Sequence, residues 1–299
     1  MMRMNPTLAG LALMLFGMFL FASNDALGKW LVSSYSVGQV LAIRSLAAMA
    51  VLLPFLYAFG FRRLFHVDRP GIQLARVVFS TAEVFCFYFA VRHMPLADTM
   101  TFWLAAPIYV AVLSPLLLRE SVSPLRWAAV VFGFIGVLIA LKPSGEGAGL
   151  ASLVAIIGSL CFALMMITGR YLRGTPDMTL VFWQLVGAGV AGVIAAPVGW
   201  SMPGSFDWGL LALVGVVAMG AHLCVNRALK LADAALIAPL QYTLLLWAVI
   251  LGWMFFGDIP RLAMLAGAVV IVLSGLVLVL PEQRMKAWLM ARWRNEKTP

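Results

Sequence analysis

Apolar residues along this chain form long continuous stretches, unlike the alternating or 3.6-residue stripes of a water-soluble fold. Runs bounded by charge, Pro or Gly fall at about 7–31, 36–60, 71–91, 95–118, 124–141, 149–171, 178–198, 207–229, 234–257 and 261–280. Each is close to or above the roughly 20 residues that a helix needs to cross a hydrocarbon core about 30 Å thick. The pattern predicts an all-α membrane protein of ten transmembrane helices with short connections. Pro124 and Pro260 open the fifth and tenth spans, where a missing N–H costs a helix nothing.

The two halves of the chain resemble each other. At an offset of 141, Gly17, Phe21, Ala22, Gly28, Lys29, Trp30 and Leu31 fall on Gly158, Phe162, Ala163, Gly169, Arg170, Tyr171 and Leu172. At 135, Leu96-Ala97-Asp98 falls on Leu231-Ala232-Asp233, and at 138 Glu120 falls on Asp258. Glu120 is followed by Ala129 and Gly136, and Asp258 by Gly267 and Ser274, at the same spacings. The predicted organisation is a five-helix repeat over 1–143, a second over 144–281, and a basic tail over 282–299. Five spans is an odd number, so the second repeat is expected to enter the membrane upside down relative to the first. Inverted repeats with a site near the midplane are a common architecture of secondary transporters.

Composition agrees with a bilayer. The 299 residues are 63% hydrophobic and 11% charged, with mean hydropathy +1.00, against about 45–50% apolar in soluble domains. Little length remains for a soluble domain, and the first apolar run is too long for a cleaved signal peptide. The net charge of +9 lies between spans and not on a basic face, so it indicates membrane orientation and no nucleic acid. With the N-terminus inside, sixteen Lys and Arg fall on inner connections and ends, four on outer ones, and Arg44 within span two. Lys and Arg concentrate in cytoplasmic loops, so both termini are expected in the cytoplasm of a cell with a bacterial-type inner membrane. Cys86, Cys161 and Cys224 lie in apolar runs and suggest neither disulfide nor metal site.

Given the Leu-Ala-Asp turns before spans four and nine, and the acidic residues with spaced small residues at Glu120 and Asp258, the chain resembles the drug/metabolite transporter superfamily. The likeness is to its ten-helix, two-module (EamA-like) branch, which includes bacterial exporters of aromatic amino acids and metabolites. It covers essentially the whole chain. The resemblance implies a central cavity lined by spans one to four and six to nine, spans five and ten peripheral, and neither cofactor nor ATP. No phosphate-cradling Gly-Lys-Ser/Thr loop is present.

Polar side chains inside spans are costly in lipid and mark candidate sites. Span one carries Asn24 and Asp25, span two Arg44, and span three the stripe Arg76, Phe79, Ser80, Glu83 and Phe87. Arg44 is expected to pair with Asp25 or Glu83, and as the one clearly intramembrane arginine it leaves too little positive charge for a sugar-phosphate site. These three are candidates for coupling or for an ion pair, Glu83 as a proton carrier. Trp103, Trp183, His222 and Tyr242 are expected to wall the chamber, with Asn24, Ser80, Glu83 and Gln241 contributing polar contacts. Pro107 and Pro239 permit kinks in spans four and nine. Ala129, Gly133 and Gly136, and Gly187, Ala191 and Ala195, allow close helix packing, within a monomer before a dimer. Trp288, Leu289 and Trp293 give the tail an interfacial pattern.

The expected function is export of amino acids, aromatic and other apolar ones foremost, and related metabolites. The alternative is a multidrug or organic-cation exporter, which requires a cavity carboxylate that no arginine neutralises. An intramembrane enzyme is disfavoured, because no nucleophile–base pair or metal cluster is spaced for it.

Overall fold

The computed structural model describes residues 5–65, 67, 69–93, 96–141, 149–256 and 262–279. Residues 142–148, Asp258 and the tail 282–299 lie outside the described residues, as does the side chain of Asp98. Among the described residues are twelve α-helices: α1 (Pro6–Ser34), α2 (Val37–Phe59), α3 (Pro70–His93), α4 (Leu96–Trp103), α5 (Ala106–Leu117), α6 (Pro124–Leu141), α7 (Leu150–Tyr171), α8 (Asp177–Ala195), α9 (Ser205–Leu231), α10 (Ala234–Ile237), α11 (Thr243–Phe256) and α12 (Leu262–Val279). Six of them, α1, α2, α3, α7, α8 and α9, are long and apolar enough to cross a membrane alone. The shorter apolar helices occupy the positions predicted for spans four, five, nine and ten.

Local sequence explains the boundaries. Asn5 accepts the Thr7 N–H at 3.0 Å and Pro6 opens α1, satisfying one free amide and removing another. Ser36 caps α2 in the same way, and Gly60, at φ +93°, ends it in a conformation that favours glycine. The two expected kinks are full breaks. Pro107 cannot donate to the carbonyl four residues earlier, and the chain interrupts the helix between α4 and α5. Pro239 lies in a 3₁₀ turn, Ala238–Tyr242, between α10 and α11.

Most large helix pairings join the two halves. Helix α1 packs along α9, α3 along α7, α2 along α8 and α6 along α12. Small residues allow these approaches: a Cβ on Gly192 would meet the Ala42 amide nitrogen at 2.5 Å, and one on Gly136 the Gly267 carbonyl at 2.9 Å. Gly133 and Gly136 of the stripe therefore serve packing inside the chain, against α12 and the Tyr242 ring. At one end of the bundle the Tyr35 hydroxyl donates to Asp207 at 2.5 Å and Gln39 exchanges two hydrogen bonds with Ser201. At the other, Arg170 bridges Glu120 (2.6 Å) and Asp233 (2.7 Å), and Lys230 pairs with Asp177 at 2.6 Å.

Candidate functional site

The cross-half packing leaves a central cavity of about 80 Å³. Helices α1, α2, α3, α4, α7, α8, α9 and α11 and the 3₁₀ turn line it, while α6 and α12 pack on each other and contribute no lining residue among the described ones. These are the elements expected to line the chamber and the two expected outside it.

Eight of the ten candidate residues come together there: Asn24, Asp25, Arg44, Ser80, Glu83, Trp103, His222 and Gln241. The stripe on α3 brings Ser80, Glu83, Val84 and Phe87 to one wall, because positions three and four apart share a helix face. Trp103, in the last turn of α4, donates its indole N–H to Glu83 Oε1 at 2.8 Å. Its ring meets Phe87 edge to face at 5.1 Å. Asn24 donates to Asp25 Oδ1 at 3.1 Å, and Gln241 donates to Met166 Sδ, on the residue that the repeat places opposite Asp25. His222 packs edge-on to Phe21 at 4.9 Å and its Nδ1 has no partner.

Two candidates lie elsewhere. Trp183 is one residue from Gln184, about 100° around α8, so when Gln184 faces the cavity Trp183 turns away. Its indole donates to the Leu64 carbonyl at 2.8 Å and its ring packs against Phe65 and Phe182. Tyr242 follows Gln241 within the 3₁₀ turn, about 120° further round; its hydroxyl donates to the Val130 carbonyl at 3.0 Å, and its ring fills the space that a Cβ on Gly133 would enter. Both aromatics are packing residues and not chamber walls.

The ion pair expected of Arg44 does not form. Its guanidinium donates to the Tyr88 hydroxyl at 2.8 Å, and neither Asp25 nor Glu83 comes within the 4.0 Å of an ion pair. Nor is Arg44 the one buried arginine. Arg76 is 1% exposed and donates to Asn226 Oδ1 (2.7 Å), Gln184 Oε1 (3.2 Å) and the Leu180 carbonyl (3.4 Å), tying α3 to α8 and α9 beside the cavity. Arg170, at the end of α7, is also buried, and donates to the Leu229 carbonyl as well as to its two acids. Sequence reasoning also missed Tyr88 as the Arg44 partner. The remaining lining is mainly apolar and aromatic, including Met18, Phe21, Phe162 and Met219.

The EamA-like transporter family model matches residues 8–142 and again 149–280. The chain belongs to that family. It is therefore a multi-pass membrane protein and a small-molecule transporter, not an enzyme. It is 23% identical over 278 residues to an S-adenosylmethionine uptake transporter of Rickettsia conorii, covering 93% of this chain and 94% of that one. A riboflavin transporter of Vibrio cholerae is 30% identical over 231 residues, 76% of this chain and 77% of its own. The pseudopaline exporter CntI of Pseudomonas aeruginosa is 26% identical over 278 residues, 90% and 95% of the two chains. A protein crystal structure with 18% identity superposes with a TM-score of 0.80, over 95% of this chain and 99% of that one. The fold is therefore shared with a solved protein.

Proposed function

We propose that this family member is a secondary transporter of amino acids, aromatic and other apolar ones foremost, and of related metabolites, across a bacterial inner membrane, with both termini cytoplasmic. Its two five-helix halves, 1–143 and 144–281, are inverted repeats that rock about the central cavity. The observation that carries this reading is the cavity itself: a chamber between the halves that combines aromatic walls with Asp25, Glu83 and Arg44. A volume of about 80 Å³ is well below the roughly 300–1,000 Å³ of a small-molecule pocket. Admitting a metabolite requires the halves to move, as alternating access does.

The helix pairings support a two-fold relation between the halves, and the odd number of spans in each half supports the inversion. Exchanging the halves turns α1–α9 into α7–α3, and leaves α2–α8 and α6–α12 unchanged, so the set of pairings maps onto itself. The relatives support a metabolite and leave its identity open, since S-adenosylmethionine, riboflavin and pseudopaline differ widely in size and charge.

A second reading, export of organic cations, gains from one observation: none of the described arginines forms an ion pair with Asp25 or Glu83. Uptake into proteoliposomes of labelled phenylalanine, leucine, S-adenosylmethionine, riboflavin and a lipophilic cation, with and without a pH gradient, tests both. Transport of the amino acids supports the first reading. Transport of the lipophilic cation alone, retained in Arg44→Ala, supports the second.

A further inference from the structure

Three formal charges face the cavity, and they do not neutralise one another. Arg44 has five N–H donors and directs one at the Tyr88 hydroxyl. Asp25 accepts from Asn24 and Glu83 from Trp103, both neutral donors. The ion pairs of the described residues all lie elsewhere. In an apolar chamber an uncompensated charge is costly, and its cost is removed by a partner of opposite sign brought to hydrogen-bonding distance or, for a carboxylate between turnovers, by a proton that a bound cation displaces. Arg76 lies beside the cavity but does not line it and spends its donors on Leu180, Gln184 and Asn226, so the lining presents one positive and two negative groups, complementary to a solute with one negative and two positive groups. A neutral zwitterion satisfies Arg44 and one carboxylate and leaves the other carboxylate without a cation.

An independent observation marks the same place as a binding site. Asn24 Oδ1 and Ser45 Oγ are buried, with their residues 6% and 3% exposed, and neither atom has a hydrogen-bond partner, yet both residues line the cavity. Buried polar atoms are nearly always satisfied, so these two are open to a ligand. Asn24 Oδ1 is an acceptor beside the Asp25 carboxylate, where an ammonium group would bind. The Ser45 hydroxyl is adjacent in sequence to Arg44 and can donate to a carboxylate. The Phe87, Tyr88 and Trp103 rings supply faces that attract a cation and bury an apolar body.

We propose that the preferred substrates of this cavity are amino acids with a second cationic centre on an aromatic or apolar body. The carboxylate sits at Arg44 and Ser45, one cation at Asp25 and Asn24, and the other at Glu83. The assignment rests on the transport reading and narrows its substrate class.

Calorimetric binding to the purified protein in nanodiscs, near neutral pH, tests it with para-aminomethyl-L-phenylalanine and its near-isostere para-ethyl-L-phenylalanine. The cationic analogue should bind roughly ten-fold or more tightly, the worth of one charge-assisted hydrogen bond. Glu83→Gln or Asp25→Asn should shrink that preference to about two-fold or less while the ethyl analogue still binds. Equal or tighter binding of the ethyl analogue to the unaltered protein overturns the assignment, and so does a preference that survives both substitutions or binding of neither analogue. The unaltered-protein comparison stands even if the variants fail to fold. If neutral amino acids are transported and the cationic analogue is not, the substrate class falls and transport stands; if no organic solute moves in proteoliposomes, the transport reading falls.

Discussion

Gly158→Ala and Gly17→Ala change repeat-related glycines at interfaces that exchange under the internal symmetry, α7–α3 and α1–α9, and they should behave differently. A Cβ on Gly158 would lie 2.4 Å from the Trp103 ring and 2.6 Å from Cys86 Cβ. Ordinary contact begins at 3.4 Å, so α3 must retreat by about 0.8 Å and the indole by about 1 Å, since neither neighbour has room at the stated distances. That movement strains the 2.8 Å bond from Trp103 to Glu83. Overpacking of this kind costs about 1–3 kcal/mol, against a gain of roughly 0.5–1 kcal/mol from replacing a helical glycine by alanine. Gly158→Ala should therefore lose about 1–2 kcal/mol net. A Cβ on Gly17 meets Val225 Cγ2 at 3.2 Å and Cys224 Cβ at 3.3 Å, a deficit of a few tenths of an ångström, so the two terms nearly cancel. Thermal melting followed by a thiol-reactive dye reads both variants, since all three cysteines are half-buried. Gly158→Ala should melt earlier and bind solute more weakly, with Gly17→Ala close to the unaltered protein. Equal melting of the two, or a less stable Gly17→Ala, would refute the packing argument.

Three further outcomes follow from the geometry. Arg170→Gln removes the cation that joins Glu120 to Asp233 across the halves, leaving the more buried Glu120 without its cation while the partly exposed Asp233 keeps Arg126 at 3.5 Å, a loss of about 1–3 kcal/mol, read as a lower melting temperature; melting unchanged from the unaltered protein would contradict the bridge. Trp103→Ala should weaken binding of large apolar solutes by about 1–3 kcal/mol, or roughly five- to 150-fold, with small solutes little affected, while Tyr242→Ala should cost about 3–5 kcal/mol of stability without altering solute preference. Binding titrations and melting curves of both variants separate the two roles, and a change of solute preference in Tyr242→Ala would contradict its packing assignment. Reporters fused after Pro281 should be cytoplasmic and reporters near Glu146 periplasmic, because Lys and Arg concentrate on the side assigned to the termini; both on one side would remove the inversion.

The spans were legible because a bilayer imposes a minimum apolar length that each run had to meet. The cavity was legible in part because a polar group in an apolar span needs somewhere polar to face. Which of two adjacent residues faces inward was not legible. Trp183 beside Gln184, and Gln241 beside Tyr242, are separated by the rotation of one helix about its own axis, and neighbouring helices set that rotation. The 3₁₀ turn at Ala238–Tyr242 adds a local unwinding that helical periodicity does not anticipate. Partners across the bundle were equally hidden: Tyr88 meets Arg44 from a different helix. Arg76, at the start of the span-three stripe, was not legible as a buried arginine, because its acceptors Gln184 and Asn226 lie 108 and 150 residues away.

Alternating access through the central cavity is tested most directly by Ser45→Cys in a background lacking the three native cysteines. Ser45 lines the cavity, its hydroxyl makes no hydrogen bond within the protein that the substitution would break, and Arg44 remains to hold a solute carboxylate. In oriented membranes, a membrane-impermeant thiol reagent should label the new cysteine from either side, and a bound solute should protect it from both. Labelling from one side alone under every condition, solute present or absent, would mean a blind pocket and would contradict a transport path through this cavity.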